Sequence, residues 1–284
     1  MAKASVLAGL DAQRRVTLQR LGKLSPAEWR QPTNSGLTVA ELASWLAAVD
    51  EAAVRGRLGA LGSPRPGVTS PGNSAADATP HLVSSASVAG VLARDDAAPN
   101  PATLLHRLER AGARLERGAR LLPGVFWRTR VESDDGLRRT LVLLLRLRLL
   151  REWVAVSDPA LGPPARPVPP VARELAQAAL ERLRTEVLPH AGISVGVIRL
   201  VLEEIPGQPG ERMWGVDFAR KHYGPRVEAA PDAVVRTWSG ALARLLEGEV
   251  EASGLAPEEL RVEGDRTLAD AWLWAVVRGR PEGG

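Results

Sequence analysis

The sequence contains no cysteine, which excludes disulfides, thiolate metal ligands and a cysteine nucleophile together. If thiol chemistry occurs here, the thiol arrives on a small molecule. Only four histidines are present, His81, His106, His190 and His222. No two stand at helical i, i+4 spacing and no H-E-x-x-H occurs, so all four are expected at the surface. No apolar run approaches the ~18–20 residues of a membrane helix. The nearest, "TLVLLLRLRLL" (140–150), is broken by two arginines. The first residues, "MAKASVLAGLDAQRR", lack a signal-peptide core, so a cytoplasmic location without membrane partners is expected. "GQPGER" (207–212) and "GSPRPG" (62–67) lack the strand-to-helix setting of a phosphate loop, and no G-x-S-x-G elbow is found. "VESDD" (131–135) and "LEEIPG" (202–207) hold paired carboxylates, but read more simply as a helix approach and a strand end. No repeat recurs at a fixed period.

The 284 residues favour two domains. A net charge of +4 is modest, but the arginines crowd into 106–151. Solvated helix faces are the simplest account; an anion or nucleic acid drawn to that excess is the less favoured one.

Apolar residues at helical spacing predict a first helix over 4–22, with Arg14 interrupting the stripe of Leu7, Leu10, Leu18 and Leu21. Thr38 and Glu41 form a T-x-x-E capping box opening a second helix on Val39, Leu42, Leu46, Val49 and Ala53. Trp45 borders that buried face. A Pro/Gly/Ser-rich loop is predicted over 62–80, a third helix over 101–121 and a fourth, apolar nearly all round, over 136–157. These make a four-helix bundle over residues 1–160. Six prolines in "DPALGPPARPVPPVA" (158–172) mark a linker at 161–170. A smaller α+β domain over 171–284 follows, with a helix near 171–188 and strands at 195–205, 213–218, 233–238 and 260–265. Its other helices are predicted at 239–252 and 267–277. Trp29 and Trp153 are expected in the core; Trp238, Trp272 and Trp274 fill the second core or line a cavity in it.

Two stretches, "LSPAEWRQPTNSGLTVAELASWL" (24–46) and "LLREWVAVSDPALGPP" (149–164), resemble the DinB-like superfamily. Within it they resemble the mycothiol-dependent maleylpyruvate isomerase group. "PDAVVRTWSGALARLLEG" (231–248) and "VEGDRTLADAWL" (262–273) are similar to that group's sterol-carrier-like C-terminal domain. The resemblance implies a mainly α protein, a DinB-like four-helix bundle followed by a smaller α+β domain. It also implies a site where two histidines and one carboxylate hold a divalent metal that works with a small thiol. At those positions this chain has Trp45, Ala155 and Arg151. An indole, a methyl and a guanidinium cannot ligate a cation, so no metal and no cofactor are expected. The candidate pocket is Trp45, Arg151 and Glu41, with Glu41 or Asp50 pairing Arg151. The function predicted is that of a non-catalytic relative binding a small molecule or a protein. A thiol-dependent transferase or isomerase of mycothiol or bacillithiol type, with Arg151 activating the thiolate, is the alternative. Nucleic-acid binding through the 106–151 arginines stands behind both.

Overall fold

The computed structural model describes residues 2–63, 100–133, 136–162, 166–203, 213–225, 227 and 229–278. They form two compact units that divide between Glu174 and Leu175. Most of the loop expected at 62–80 lies outside the described residues.

The first unit is a bundle of α1 (Ala2–Leu21), α2 (Val39–Val54), α3 (Pro101–Leu121) and α4 (Leu141–Val156). The α2 capping box is present. Thr38 Oγ1 accepts from the Glu41 amide and Glu41 Oε2 accepts from the Thr38 amide at 2.7 Å. α3 starts at Asn100, whose side chain caps Ala102, with Pro101 in the first turn where its missing N–H costs nothing. α3 packs on both α1 and α2, and α4 packs on α1. The short 3-10 turn Leu58–Gly62 packs against both α2 and α4.

The fourth helix is shorter than its apolar run predicts. Residues 136–140 instead enter a hairpin of β1 (Arg130–Glu132) and β2 (Arg138–Thr140), in which Val131 and Glu132 of the expected helix approach are strand residues. This hairpin exposes a likeness that no fixed-period search finds. Before α2, a 3-10 turn ends at Trp29-Arg30, and the next carbonyl, of Gln31, accepts from Val39 N. Before α4, a 3-10 turn ends at Trp127-Arg128, and the carbonyl of Thr129 accepts from Leu141 N. Thr33 N bonds Leu37 O and Gly36 N bonds Thr33 O; likewise Ser133 N bonds Leu137 O and Gly136 N bonds Ser133 O. Gly36 and Gly136 share φ +78°, a conformation that favours glycine. Thr38 and Thr140 then cap α2 and α4. The bundle is thus two α–hairpin–α halves, the second with a longer hairpin.

The second unit carries β3 (Val197–Leu202), β4 (Met213–Asp217), β5 (His222–Gly224), β6 (Ala233–Thr237) and β7 (Leu260–Gly264). They form one sheet in the order β5-β4-β3-β6-β7, in which only β3 and β6 run parallel. Helix α5 (Pro169–Arg182) opens this part of the chain, its first turn and a half belonging to the bundle unit. The helices α6 (Ser239–Leu246) and α7 (Arg266–Arg278) pack together, and α7 lies on β6 and β7. Trp238 and Trp272 are buried in this unit, whereas Trp274 is 57% exposed. The sequence is therefore mainly helical with a small mixed sheet, as its patterning predicts. No described helix is long and apolar enough to cross a membrane.

Candidate functional site

The middle of the bundle is charged, a feature that its apolar sequence hides. Arg14 interrupts the stripe of α1 because it points inward with only 6% of its surface exposed. Its Nε donates to Glu152 Oε1 at 3.0 Å and its Nη2 to Asp50 Oδ2 at 2.8 Å. Its Nη1 donates to the carbonyl of Leu108 on α3 at 2.8 Å. Arg148, one turn before Glu152, donates from Nε to Asp50 Oδ1 at 2.7 Å and from Nη1 to Glu152 Oε2 at 2.8 Å. Two guanidinium groups and two carboxylates thus close a neutral, fully buried ring drawn from α1, α2 and α4. The third helix supplies an acceptor and room. A Cβ at Gly112 would lie 1.5 Å from Arg14 Nη1, so only glycine admits the fork.

Burial alone would push the Glu152 carboxyl up. Arg14 and Arg148 overcome that and hold its pKa at about 2. Burial likewise works against the Arg14 charge, but Glu152 and Asp50 raise its pKa above the ordinary guanidinium value. Asp50 and Glu152 occupy matching places, each twelve residues after its capping threonine. Arg14 and Gly112 match as well, each fifteen residues before the tryptophan that ends its half's 3-10 turn. The network therefore sits where the two halves of the bundle meet.

Trp45 and Ala155 are fully buried and Arg151 is nearly so. Arg151 Nη1 donates to the carbonyl of Leu61, in the 3-10 turn against α2 and α4, at 3.3 Å. Asp50 serves Arg14 and Arg148 rather than Arg151. Glu41 does not join this group. It is exposed, and its carboxylate is taken by the α2 cap. Of the three residues expected to form a pocket, Trp45 and Arg151 lie in the interior and Glu41 at the exposed start of α2.

A divalent metal does not fit the side chains of Trp45, Arg151 and Ala155, the three positions that the resemblance singles out. The indole N–H of Trp45 is a donor with no lone pair, and among the described residues it has no acceptor. Arg151 would repel a cation, and Ala155 offers nothing. Of the buried carboxylates near these positions in sequence, Asp50 and Glu152 each accept from two arginines, and Asp158 accepts from the amides of Asn34 and Ala160. Among the described residues, no three His, Asp or Glu side chains are grouped to hold a metal ion. His106, His190 and His222 are exposed; His81 lies outside the described residues.

Sequence reasoning flagged Arg14 as an interruption and Asp50 as a possible partner, but missed Arg148 and Glu152. Their signal was an i, i+4 charge pair set inside an otherwise apolar helix, where solvent cannot satisfy it. The arginine-rich stretch also differs from a set of solvated faces. Arg139, Arg148 and Arg151 are buried, while Arg107 and Arg146 are half-buried in ion pairs with Glu51 and Glu174.

No family model matches the sequence, and no curated protein matches it. Solved structures do. The crystal structure of a histidine-to-alanine mutant of the mycothiol-dependent maleylpyruvate isomerase is 18% identical, with a TM-score of 0.54, over 90% of this chain and 95% of that one. The crystal structure of the mycothiol-dependent maleylpyruvate isomerase itself is 17% identical, with a TM-score of 0.52 over the same shares. Over both of its units, the chain has the fold of that isomerase.

Proposed function

We propose that this protein is a non-catalytic relative of the mycothiol-dependent maleylpyruvate isomerases, acting by binding a small molecule or a protein. The observation that carries this reading is the neutral Arg14–Asp50–Arg148–Glu152 ring, beside family ligand positions filled by Trp45, Arg151 and Ala155. A catalytic metal needs deprotonated donors with free lone pairs and an open coordination position. Here the carboxylates of Asp50 and Glu152 are already taken by guanidinium forks. Admitting a cation would require expelling an arginine, leaving its charge buried and unpaired at a cost of several kcal/mol.

Elemental analysis tests the reading. Protein incubated with zinc and dialysed should retain far less than one equivalent of metal, and should not isomerise maleylpyruvate in the presence of mycothiol. A stoichiometric metal removed by chelator would overturn it, as would turnover of a thiol adduct by the metal-free protein. The positions themselves are tested by the variant Trp45→His/Arg151→Glu/Ala155→His. Glu at 151 and His at 155 would stand four apart on α4, and this variant should bind zinc where the parent does not. A folded variant that binds no more zinc than its parent would show that these are not the ligand positions.

A further inference from the structure

At the end of the bundle where α2 finishes, the structure holds an apolar cavity of about 270 Å³. Ala53, Leu115, Ala119, Leu141 and Leu145 are its buried walls. Val54, Gly56, Arg114, Gly118 and Leu122 stand at its solvent side. An apolar cavity of ~150 Å³ is enough for benzene, so this one takes a ring with a short substituent or a chain of roughly eight carbons.

Two observations show what would occupy it. The first is Gly118, an exposed glycine inside α3, where glycine costs about 1 kcal/mol relative to alanine. Gly112 is explained by the approach of Arg14, but a Cβ at Gly118 would meet nothing within 4 Å. Packing does not demand this glycine; what its missing side chain leaves open is the cavity mouth. The second is charge. Arg114 lines the cavity, and Glu51 is surrounded by Arg107, Arg55 and Arg114, which together hold its carboxyl below the usual range, the hydrogen bond from Arg107 most of all. Arg114 is the one charged side chain among the described residues that line the cavity, so the charge at its solvent side is positive.

We propose that this cavity binds a small amphiphilic anion, an alkyl or aryl carboxylate whose apolar part enters between α2, α3 and α4 and whose carboxylate meets Arg114. The inference extends the ligand-binding reading to a ligand class but stands on other residues. A metal found in the bundle would leave it intact, and a failed titration here would leave the metal argument intact.

Calorimetric titration of the full chain with octanoate, octanol and octylammonium decides it. Octanoate should bind saturably at one site, at least fivefold more tightly than octanol, and octylammonium more weakly than either. Arg114→Gln should bring octanoate down to the octanol level. Gly118→Leu should weaken both by tenfold or more without lowering the melting temperature, because leucine is the better helix former. The absence of saturable octanoate binding up to about 5 mM would overturn the proposal, whether another part of the chain or a second copy fills the cavity. Equal affinities for octanoate and octanol, or an unaffected Gly118→Leu, would overturn it too.

Discussion

Arg14 shows how one side chain commits a whole interior. Its guanidinium reaches two carboxylates and a carbonyl on three different helices, so its loss strands charges that water cannot reach. Breaking a buried ion pair from one side typically costs about 3–5 kcal/mol. Arg14→Met and Glu152→Gln should each lower the unfolding free energy by that much, read from urea melts. Gly112→Ala should cost a comparable amount by evicting the fork from its place. The double variant Arg14→Met/Glu152→Gln leaves Asp50 paired with Arg148, so its loss should fall well short of the two singles added together. Acid titration separates two carboxyls of opposite sign. Glu152 has a folded-state pKa of about 2, depressed from 4.5, so its contribution is present above pH 4.5 and fades as pH falls towards 2. Glu116, half-buried on α3, is pushed up to about 7 by burial, with Arg14 pulling it down and Asp11 and Glu152 adding to the rise. Its stabilising effect is complete below pH 4.5 and is lost as pH rises through 7. Glu116→Gln should therefore raise the melting temperature at pH 8 and leave it nearly unchanged at pH 4. Screening of the exposed part keeps the gain to about 1 kcal/mol or less.

Among the elements, α2 and α4 start alike and are secured differently. Thr38 and Glu41 bond reciprocally, while Thr140 accepts a single bond from Leu143 N at 3.3 Å. Thr38→Ala should cost about 1–2 kcal/mol and Thr140→Ala about 0.5–1, within the range of N-caps. Thermal melts of the two variants in parallel would check the order. The α2 start was legible because a capping box is local chemistry written in four residues. The α4 start was not. Leu137 continues the apolar run toward the helix in sequence, but its carbonyl closes a turn with Ser133 and the following residues pair with β1. Hydrophobic periodicity cannot register a hairpin whose last residue, Thr140, is itself the cap. The likeness of the two halves was hidden for a related reason, since their turns match in hydrogen bonds and in Gly36 and Gly136, but the hairpin arms on either side of those turns differ in length.

For the whole molecule, patterning and resemblance gave the two-part architecture and its mainly helical class, because each depends on stretches of twenty residues or more. The charged ring was largely illegible. Arg14, Asp50, Arg148 and Glu152 meet only after three helices have folded against one another; locally, Arg14 marks only a break in an apolar stripe and Arg148 and Glu152 only a charge pair in an apolar run, and neither names its partners across the bundle. The same limit applies to Glu174. This buried carboxylate of α5 accepts from Arg146 Nε at 2.7 Å and from the Ser5 hydroxyl, both in the bundle. A fragment covering residues 1–160 strips Arg146 of this partner, so it should melt below a fragment covering 1–182; equal melting temperatures would show that the α5 turn adds nothing to the bundle. Synthesis imposes an order on the central ring. Arg14 and Glu152 are separated by 138 residues along the chain, so the nascent chain presents a cation on its first helix long before the second carboxylate has been translated. Asp50 alone cannot satisfy both arginines, and Arg148 reaches the ribosome exit only four residues ahead of Glu152. A chain stalled anywhere before α4 therefore cannot seal its interior, and carries in that unsealed core the exposed surface by which chaperones and proteases recognise an unfinished product.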